Sequence, residues 1–146
     1  MATNAYCQYY LAKCSRTVGF MLHDAVLVFG LDGSEFLRQF ISCGIAEQIE
    51  NGNPKYIAGK SGLELFFDVT GKNGDECTSI GPIENYEKSD VYWVGWMLAH
   101  YQWYSGKSFE EILDKVPFEE LLCLYKTLHE ADIQKSYEVM DAHFSQ

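Results

Sequence analysis

The sequence lacks the segments that would direct it into or across a membrane. Its first ten residues, MATNAYCQYY, have no basic start and no apolar run, so they do not match a signal peptide. No apolar stretch reaches the length of about 20 residues that a membrane-spanning helix needs. The sequence therefore predicts a cytoplasmic protein that has no membrane partner.

A disulfide framework is also missing. The chain has five cysteines, an odd number, and none of them forms a Cys-x-x-Cys pair. A chain of 146 residues can bury enough surface to fold as one domain without disulfide cross-links. We therefore expect reduced and mostly buried thiols in a single domain that spans residues 1–146.

A phosphate-binding loop is absent, although Gly59-Lys60-Ser61 matches the end of its signature. The position where that signature requires its first glycine holds Pro54, which has no N–H group to turn toward an anion. Ser61 and Glu64 have the spacing of a Ser-x-x-Glu capping box. The sequence here predicts the start of a helix at 63–69.

Motifs for catalysis are absent as well. No serine lies in a Gly-x-Ser-x-Gly elbow, and the four histidines show no metal-ligand spacing. The sequence therefore predicts no catalytic residue, no metal site and no cofactor. One alternative stays open, in which His129 acts with Asp132, three residues later on the same helix, or with Glu130 in a small hydrolase or transferase.

Basic residues are scarce: 11 lysines and arginines face 21 acidic residues, for a net charge of −10. Residues 1–60 contain five of each sign, so the excess lies in the rest of the chain. This charge disfavours direct binding to nucleic acid, which lysine and arginine contact through phosphates. It favours a protein partner with a basic surface, although acidic charge also serves solubility alone.

Helical spacing of apolar residues runs through the chain and predicts an all-α domain of about seven helices. Asn4 is the predicted cap of the first helix, Ser34 of the third, Ser89 or Asp90 of the fifth and Ser108 of the sixth. The third helix is predicted to break at Gly44, and Pro117 to open the last helix, which restarts near Asp132. The predicted helices cover 4–15, 18–29, 31–49, 63–69, 91–104, 109–116 and 117–144.

A polar stretch, residues 70–89, divides the predicted helices into halves 1–69 and 90–146. Each half begins with an aromatic helix that contains Leu-Ala, followed by a short helix and then a longer one. The shared order is consistent with a degenerate helical repeat joined by a polar loop.

The helix at 91–104 is the strongest individual feature, because almost every side chain in it is apolar or aromatic. A helix that is apolar all round is either buried in a core or covered by a partner. Tryptophan and tyrosine are enriched at the centres of interfaces. Both interpretations stay open for its rings, and the predicted partner-binding aromatics are Trp93, Trp96, Trp103 and Tyr104.

Residues 92–112, YWVGWMLAHYQWYSGKSFEEI, and 124–133, LYKTLHEADI, resemble small helical proteins of Gram-positive gut bacteria and their mobile elements. Such proteins are often encoded beside toxin candidates that look like ADP-ribosyltransferases. The resemblance implies an antitoxin or another inhibitory protein, and it assigns a role to no individual residue.

Together these features predict an acidic inhibitor that neutralises a toxin or a nucleic-acid-handling enzyme by occupying its basic surface. A phage-encoded inhibitor of a bacterial defence nuclease is an alternative with the same surface chemistry, and an obligate homodimer paired through the aromatic helix is another. The carboxylates predicted to steer the partner are Glu110, Glu111, Asp114, Glu119 and Glu120.

Overall fold

The computed structural model describes residues 4–71 and 89–145, and every regular element in these ranges is helical. The predicted all-α fold is confirmed, and seven of the nine α-helices in these ranges have seven residues or more. The helices are α1 (Leu11–His23), α2 (Gly33–Ser42), α3 (Ile45–Glu50), α4 (Pro54–Ile57), α5 (Gly62–Thr70), α6 (Asp90–Ser105), α7 (Phe109–Lys115), α8 (Phe118–Leu128) and α9 (Ile133–Phe144).

The first helix is continuous where the sequence predicts two. A 3-10 turn at Gln8–Tyr10 leads into α1, which continues into a π-helical turn at Asp24–Val28. The predicted Asn4 cap and the break between 15 and 18 are therefore wrong. Gly19 lies in the middle of α1, where an added Cβ would come within 2.7 Å of the Tyr92 ring. This glycine permits the close approach of α6.

Local capping signals place several helix starts correctly. The predicted capping boxes of Ser61 with Glu64 and of Ser108 with Glu111 are both formed. Ser89 caps α6, as predicted. Each of these bonds joins residues three positions apart, so the local sequence is sufficient to predict it.

Other boundaries agree in part with the prediction. Gly44 breaks the third predicted helix with a φ of 93°, and Asp132 restarts the last one, so both predictions are confirmed. Pro117 precedes α8 and does not form its first residue. Asp32, rather than Ser34, caps α2. The hydroxyl of Ser34 is therefore available for a contact with another helix.

The centre of the fold is a close crossing of α1 and α6. An added Cβ on Gly95 would lie 2.7 Å from the backbone oxygen of Val18 and 2.8 Å from the Cα of Gly19. Only glycine fits there, because these neighbours are backbone atoms. Although α6 is apolar, no helix in the described ranges is long and apolar enough to span a membrane.

This crossing places helices of both predicted halves, 1–69 and 90–146, around one hydrophobic core. The predicted connection 70–89 lies, apart from its ends, outside the described residues. The relationship between the halves as a repeat stays a prediction.

The cysteines differ from expectation in their exposure. Among the described ones, Cys14 is buried, whereas Cys7, Cys43 and Cys123 are exposed. The expectation of mostly buried thiols is therefore wrong for this part of the chain.

Candidate functional site

A groove of about 870 Å³ lies between α2 on one side and α7 with the start of α8 on the other. Five exposed carboxylates line it, whereas Arg38 is the one cation among its lining residues. We call this feature the acidic groove. Its carboxylates are Asp32, Glu35, Glu110, Asp114 and Glu119.

Helix starts explain the positions of four of these five acids. Asp32 caps α2, and Glu35, Glu110 and Glu119 lie in the first turns of α2, α7 and α8. A negative charge at a helix N-terminus is favoured by the exposed N–H groups and the helix dipole. Four of the five acids therefore have a local structural reason, whereas Asp114 lies in the last turn of α7 and is not explained by a helix start.

Contacts between helices hold this arrangement. The Glu119 carboxylate accepts a 2.7 Å hydrogen bond from the Ser34 hydroxyl, which joins α8 to α2. The Glu50 carboxylate on α3 accepts a 2.8 Å hydrogen bond from the Phe109 N–H at the start of α7. Burial raises the pKa of Glu50, and this hydrogen bond opposes the rise. Both walls of the groove are thus anchored to neighbouring helices.

Electrostatics favour the ionised state at Glu119. The hydrogen bond from Ser34 is the largest influence that lowers the pKa of Glu119, and a hydrogen bond from its own backbone N–H lowers it as well. Burial and the charge of Asp32 oppose this effect, and the charge of Arg38 makes the smallest contribution, which lowers the pKa. Arg38 is exposed and forms no ion pair within 4.0 Å among residues 4–71 and 89–145. The groove therefore combines five carboxylates with Arg38, which forms no ion pair with a carboxylate in the described residues.

The floor of the groove is apolar. Ile41 and Leu113 are half-buried lining residues, and Leu37 and Phe118 lie almost fully buried beside them. The Phe118 ring packs so closely on Gly33 that an added Cβ there would lie 2.5 Å from the ring. The carboxylates therefore surround a surface that can also contact apolar side chains.

The structure brings three of the five predicted carboxylates together, namely Glu110, Asp114 and Glu119. Glu111 is engaged in the Ser108 capping box, and Glu120 lies 3.5 Å from the His143 ring. Both are exposed, but neither lines the acidic groove. Their proposed contact with a partner stays a prediction.

Sequence reasoning missed Asp32, Glu35 and Arg38 as site residues. They lie in the part of the chain whose net charge is zero, so the bulk charge gave no reason to select them. The sequence did contain a usable signal, namely acidic residues near predicted helix starts. Where several helix starts lie close together in the fold, such residues form an acidic cluster.

Two of the predicted partner-binding tryptophans lie in the core. Trp93 and Trp103 are 6% and 7% exposed, and the Trp103 indole N–H donates a 2.8 Å hydrogen bond to the Tyr6 carbonyl. Their burial favours the core interpretation of α6, so neither ring presents an anchoring surface in this conformation. The physical reason is contact with distant segments, since the Trp93 ring packs against Tyr125 of α8 and Trp103 bonds to Tyr6, and sequence periodicity does not encode such contacts.

Trp96 and Tyr104 on α6 are only partly buried. The Tyr104 ring stacks on Tyr137 with centroids 4.1 Å apart, and Trp96 contacts the His100 ring at 4.1 Å. Burial lowers the pKa of His100 to about 4, so this imidazole is neutral at pH 7. These rings do not line the acidic groove, and their role in binding stays a prediction.

The alternative catalytic pair is separated by a helix boundary. His129 caps the end of α8 and Asp132 caps the start of α9, so the prediction that they share one helix is wrong. His129 Nδ1 lies 2.6 Å from the Tyr125 carbonyl, and Asp132 accepts a 2.9 Å hydrogen bond from Gln134 N–H. Both side chains thus have local structural roles at helix ends.

The Gly59-Lys60-Ser61 segment lines a second groove of about 620 Å³ beside α1. Ser61 forms the capping box, and the Lys60 ammonium group pairs with the Asp68 carboxylate. The prediction of a helix start here is confirmed.

Within the described part of the chain, no three histidine, cysteine or acidic side chains come close enough to hold a metal ion. The five carboxylates of the acidic groove therefore do not contain a cluster of three that could hold one ion. Such spacing suits several separate cationic groups better than one ion.

No protein-family model matches this chain, and no curated protein or solved structure is significantly similar to it. The resemblance to helical proteins of gut bacteria therefore stays an expectation. The chemistry of the acidic groove gives the most specific indication of function.

Proposed function

We propose that this protein is an acidic inhibitor of the antitoxin type, which neutralises a toxin or a nucleic-acid-handling enzyme by covering a basic surface of that partner. The observation that supports the proposal is the acidic groove, where five carboxylates from three helices surround an apolar floor. Enzymes that handle nucleic acid carry basic clefts for phosphates, and such a cleft matches this surface in charge.

The charges would act mainly on the rate of encounter. A net charge of −10 attracts a basic partner over a distance that salt shortens to about 8 Å under physiological conditions. Carboxylates on the rim stay hydrated and contribute little affinity one by one. The proposal therefore expects binding that weakens as ionic strength rises, chiefly through slower association.

The direct test mixes the purified protein with the product of the gene encoded beside its own. Association rates would be measured at low and high salt for wild type and for a triple variant, Glu110→Gln, Asp114→Asn and Glu119→Gln. The proposal expects about tenfold slower association for this variant at low salt.

A matched control removes the same charge elsewhere, with Glu47→Gln, Glu130→Gln and Glu138→Gln. These residues are exposed and do not line the acidic groove, so the control should retain most of the wild-type association rate. The proposal would be refuted if the association rate changed neither with salt concentration nor in the groove triple variant. Equal losses in the two triple variants would refute the role of the groove.

A further inference from the structure

We infer that the acidic groove receives a cationic amphipathic helix of the protein partner, and this inference rests on the proposed function. Charge steering alone would need only an acidic surface. The groove offers more, because half-buried Ile41 on α2 and Leu113 on α7 also line it. A helix with an apolar stripe flanked by lysine or arginine matches both features.

The two walls set where the cations of such a helix would lie. Glu110 and Asp114 are four residues apart, so they lie one turn apart on the same face of α7, and Leu113 lies beside them. Asp32 and Glu35 provide the opposite wall at the start of α2. A helix between the walls would direct its apolar residues at Leu113 and Ile41 and its cations outward to both rims.

Arg38 gives the inference a specific signature. It is the cation that the chain itself places in the acidic groove, where its charge lowers the pKa of Glu119. The positive charge of Arg38 reduces the attraction that the groove carboxylates exert on a cation of the partner. Removing this charge should therefore strengthen binding of a cationic helix, whereas most losses of a surface side chain leave binding unchanged or weaken it.

The test uses a synthetic amphipathic peptide of about four helical turns, with leucines on one face and lysines and arginines along both edges. A scrambled peptide of the same composition keeps the charge and lacks the apolar stripe. Fluorescence anisotropy gives the dissociation constant of each. We expect the amphipathic peptide to bind at least about tenfold more tightly than the scrambled one.

Three variants test the contacts one by one. Leu113→Ser and, separately, Ile41→Ser should each weaken binding of the amphipathic peptide by about fivefold, because apolar contact is lost from the floor. Arg38→Gln should strengthen it by about threefold. Lys126→Gln is the matched control, since it removes the same charge from an exposed position that does not line the groove. Circular dichroism and the Tm of each variant identify any loss of folding.

The outcomes separate this inference from the proposed function. Equal binding of the two peptides, or loss of binding in Arg38→Gln, would overturn the cationic helix as occupant. The partner could then still show slower association with the groove triple variant, and the proposed function would stand. No binding of either peptide up to about 1 mM would also overturn the inference.

Discussion

The Ser34 hydroxyl donates a 2.7 Å hydrogen bond to the Glu119 carboxylate, although the two residues lie 85 positions apart in the sequence. The bond connects the first turn of α2 with the first turn of α8 at the edge of the acidic groove. It is possible because Asp32 takes over the capping of α2. This one contact therefore links helix capping to the geometry of the site.

Ser34→Ala should raise the pKa of Glu119 toward that of an ordinary carboxyl group, because the largest influence that lowers it is removed. The lowered folded pKa means that the ionised group stabilises the fold above about pH 4, and that this contribution is lost as the pH falls through the folded pKa. The loss of stability at pH 7 should be only a few tenths of a kcal/mol, since the group is exposed.

NMR titration of the Glu119 carboxyl carbon measures this change in pKa directly. Ser42→Ala, at the exposed end of α2, is the control and should leave the Glu119 titration unchanged. An identical titration in Ser34→Ala and wild type would contradict the role of this hydrogen bond.

Gly95→Ala should destabilise the protein by about 2 to 3 kcal/mol, because the added methyl group would collide with the backbone of Val18 and Gly19. Gly19→Ala should cost less, since its two closest contacts are atoms of the Tyr92 ring and its nearest backbone contact, the Tyr92 oxygen, is 3.0 Å away. Chemical denaturation measures both free energies of unfolding.

Thr127→Ala, at an exposed position of α8, is the control and should change stability by less than about 0.5 kcal/mol. A Gly95→Ala protein as stable as this control would show that α1 and α6 separate at little cost. The close crossing would then not be the element that holds the two halves together.

Asp24→Asn should stabilise the protein at pH 7.5. Burial raises the pKa of Asp24 from 3.8 to about 6, so the folded state binds this proton more tightly than the unfolded chain. Its contribution favours folding most below about pH 4 and is lost as the pH rises to about 6. The expected gain is about 1 to 2 kcal/mol, below the full value of the shift because solvent still screens part of the carboxylate.

Urea denaturation at pH 4 and pH 7.5 measures the effect of this variant. The gain should be present at pH 7.5 and nearly absent at pH 4, where Asp24 is largely protonated in the folded state. Glu138→Gln, an exposed acid on α9, controls for the change in net charge. A gain of the same size at both pH values would refute the titration of Asp24 as its cause.

His129→Ala should leave inhibition of the partner unchanged, because the proposed function uses binding rather than catalysis. The variant loses the contact between His129 Nδ1 and the Tyr125 carbonyl, so a loss of stability of about 0.5 kcal/mol is expected. Inhibition assays and thermal denaturation measure the two effects separately. If the protein instead shows hydrolase or transferase activity, and His129→Ala loses that activity while it stays folded, the catalytic alternative is supported.

Much of the secondary structure could be predicted because its causes are local. The capping boxes at Ser61 and Ser108 depend on residues three positions away, and the break at Gly44 depends on a single backbone angle. The continuous first helix could not be predicted in this way. The predicted helices 4–15 and 18–29 join because α1 runs unbroken through residues 16 and 17, and its Gly19 lies against Tyr92.

The candidate site was predictable in part. Charge pointed to Glu110, Asp114 and Glu119, because they lie in the acidic part of the chain. The opposite wall, formed by Asp32 and Glu35, lies in the electrically neutral part, so only the packing of α2 beside α7 and α8 reveals it.

The sequence by itself determined the all-α class, most helix starts and the acidic charge of the second half, since these follow from side-chain periodicity, short-range hydrogen bonds and residue counts. The tertiary structure alone decided which rings are buried and which acids face one another. Those outcomes depend on contacts between distant segments, above all on Gly95 against α1 and on Ser34 against Glu119. Such contacts form only when the helices assemble around a common core.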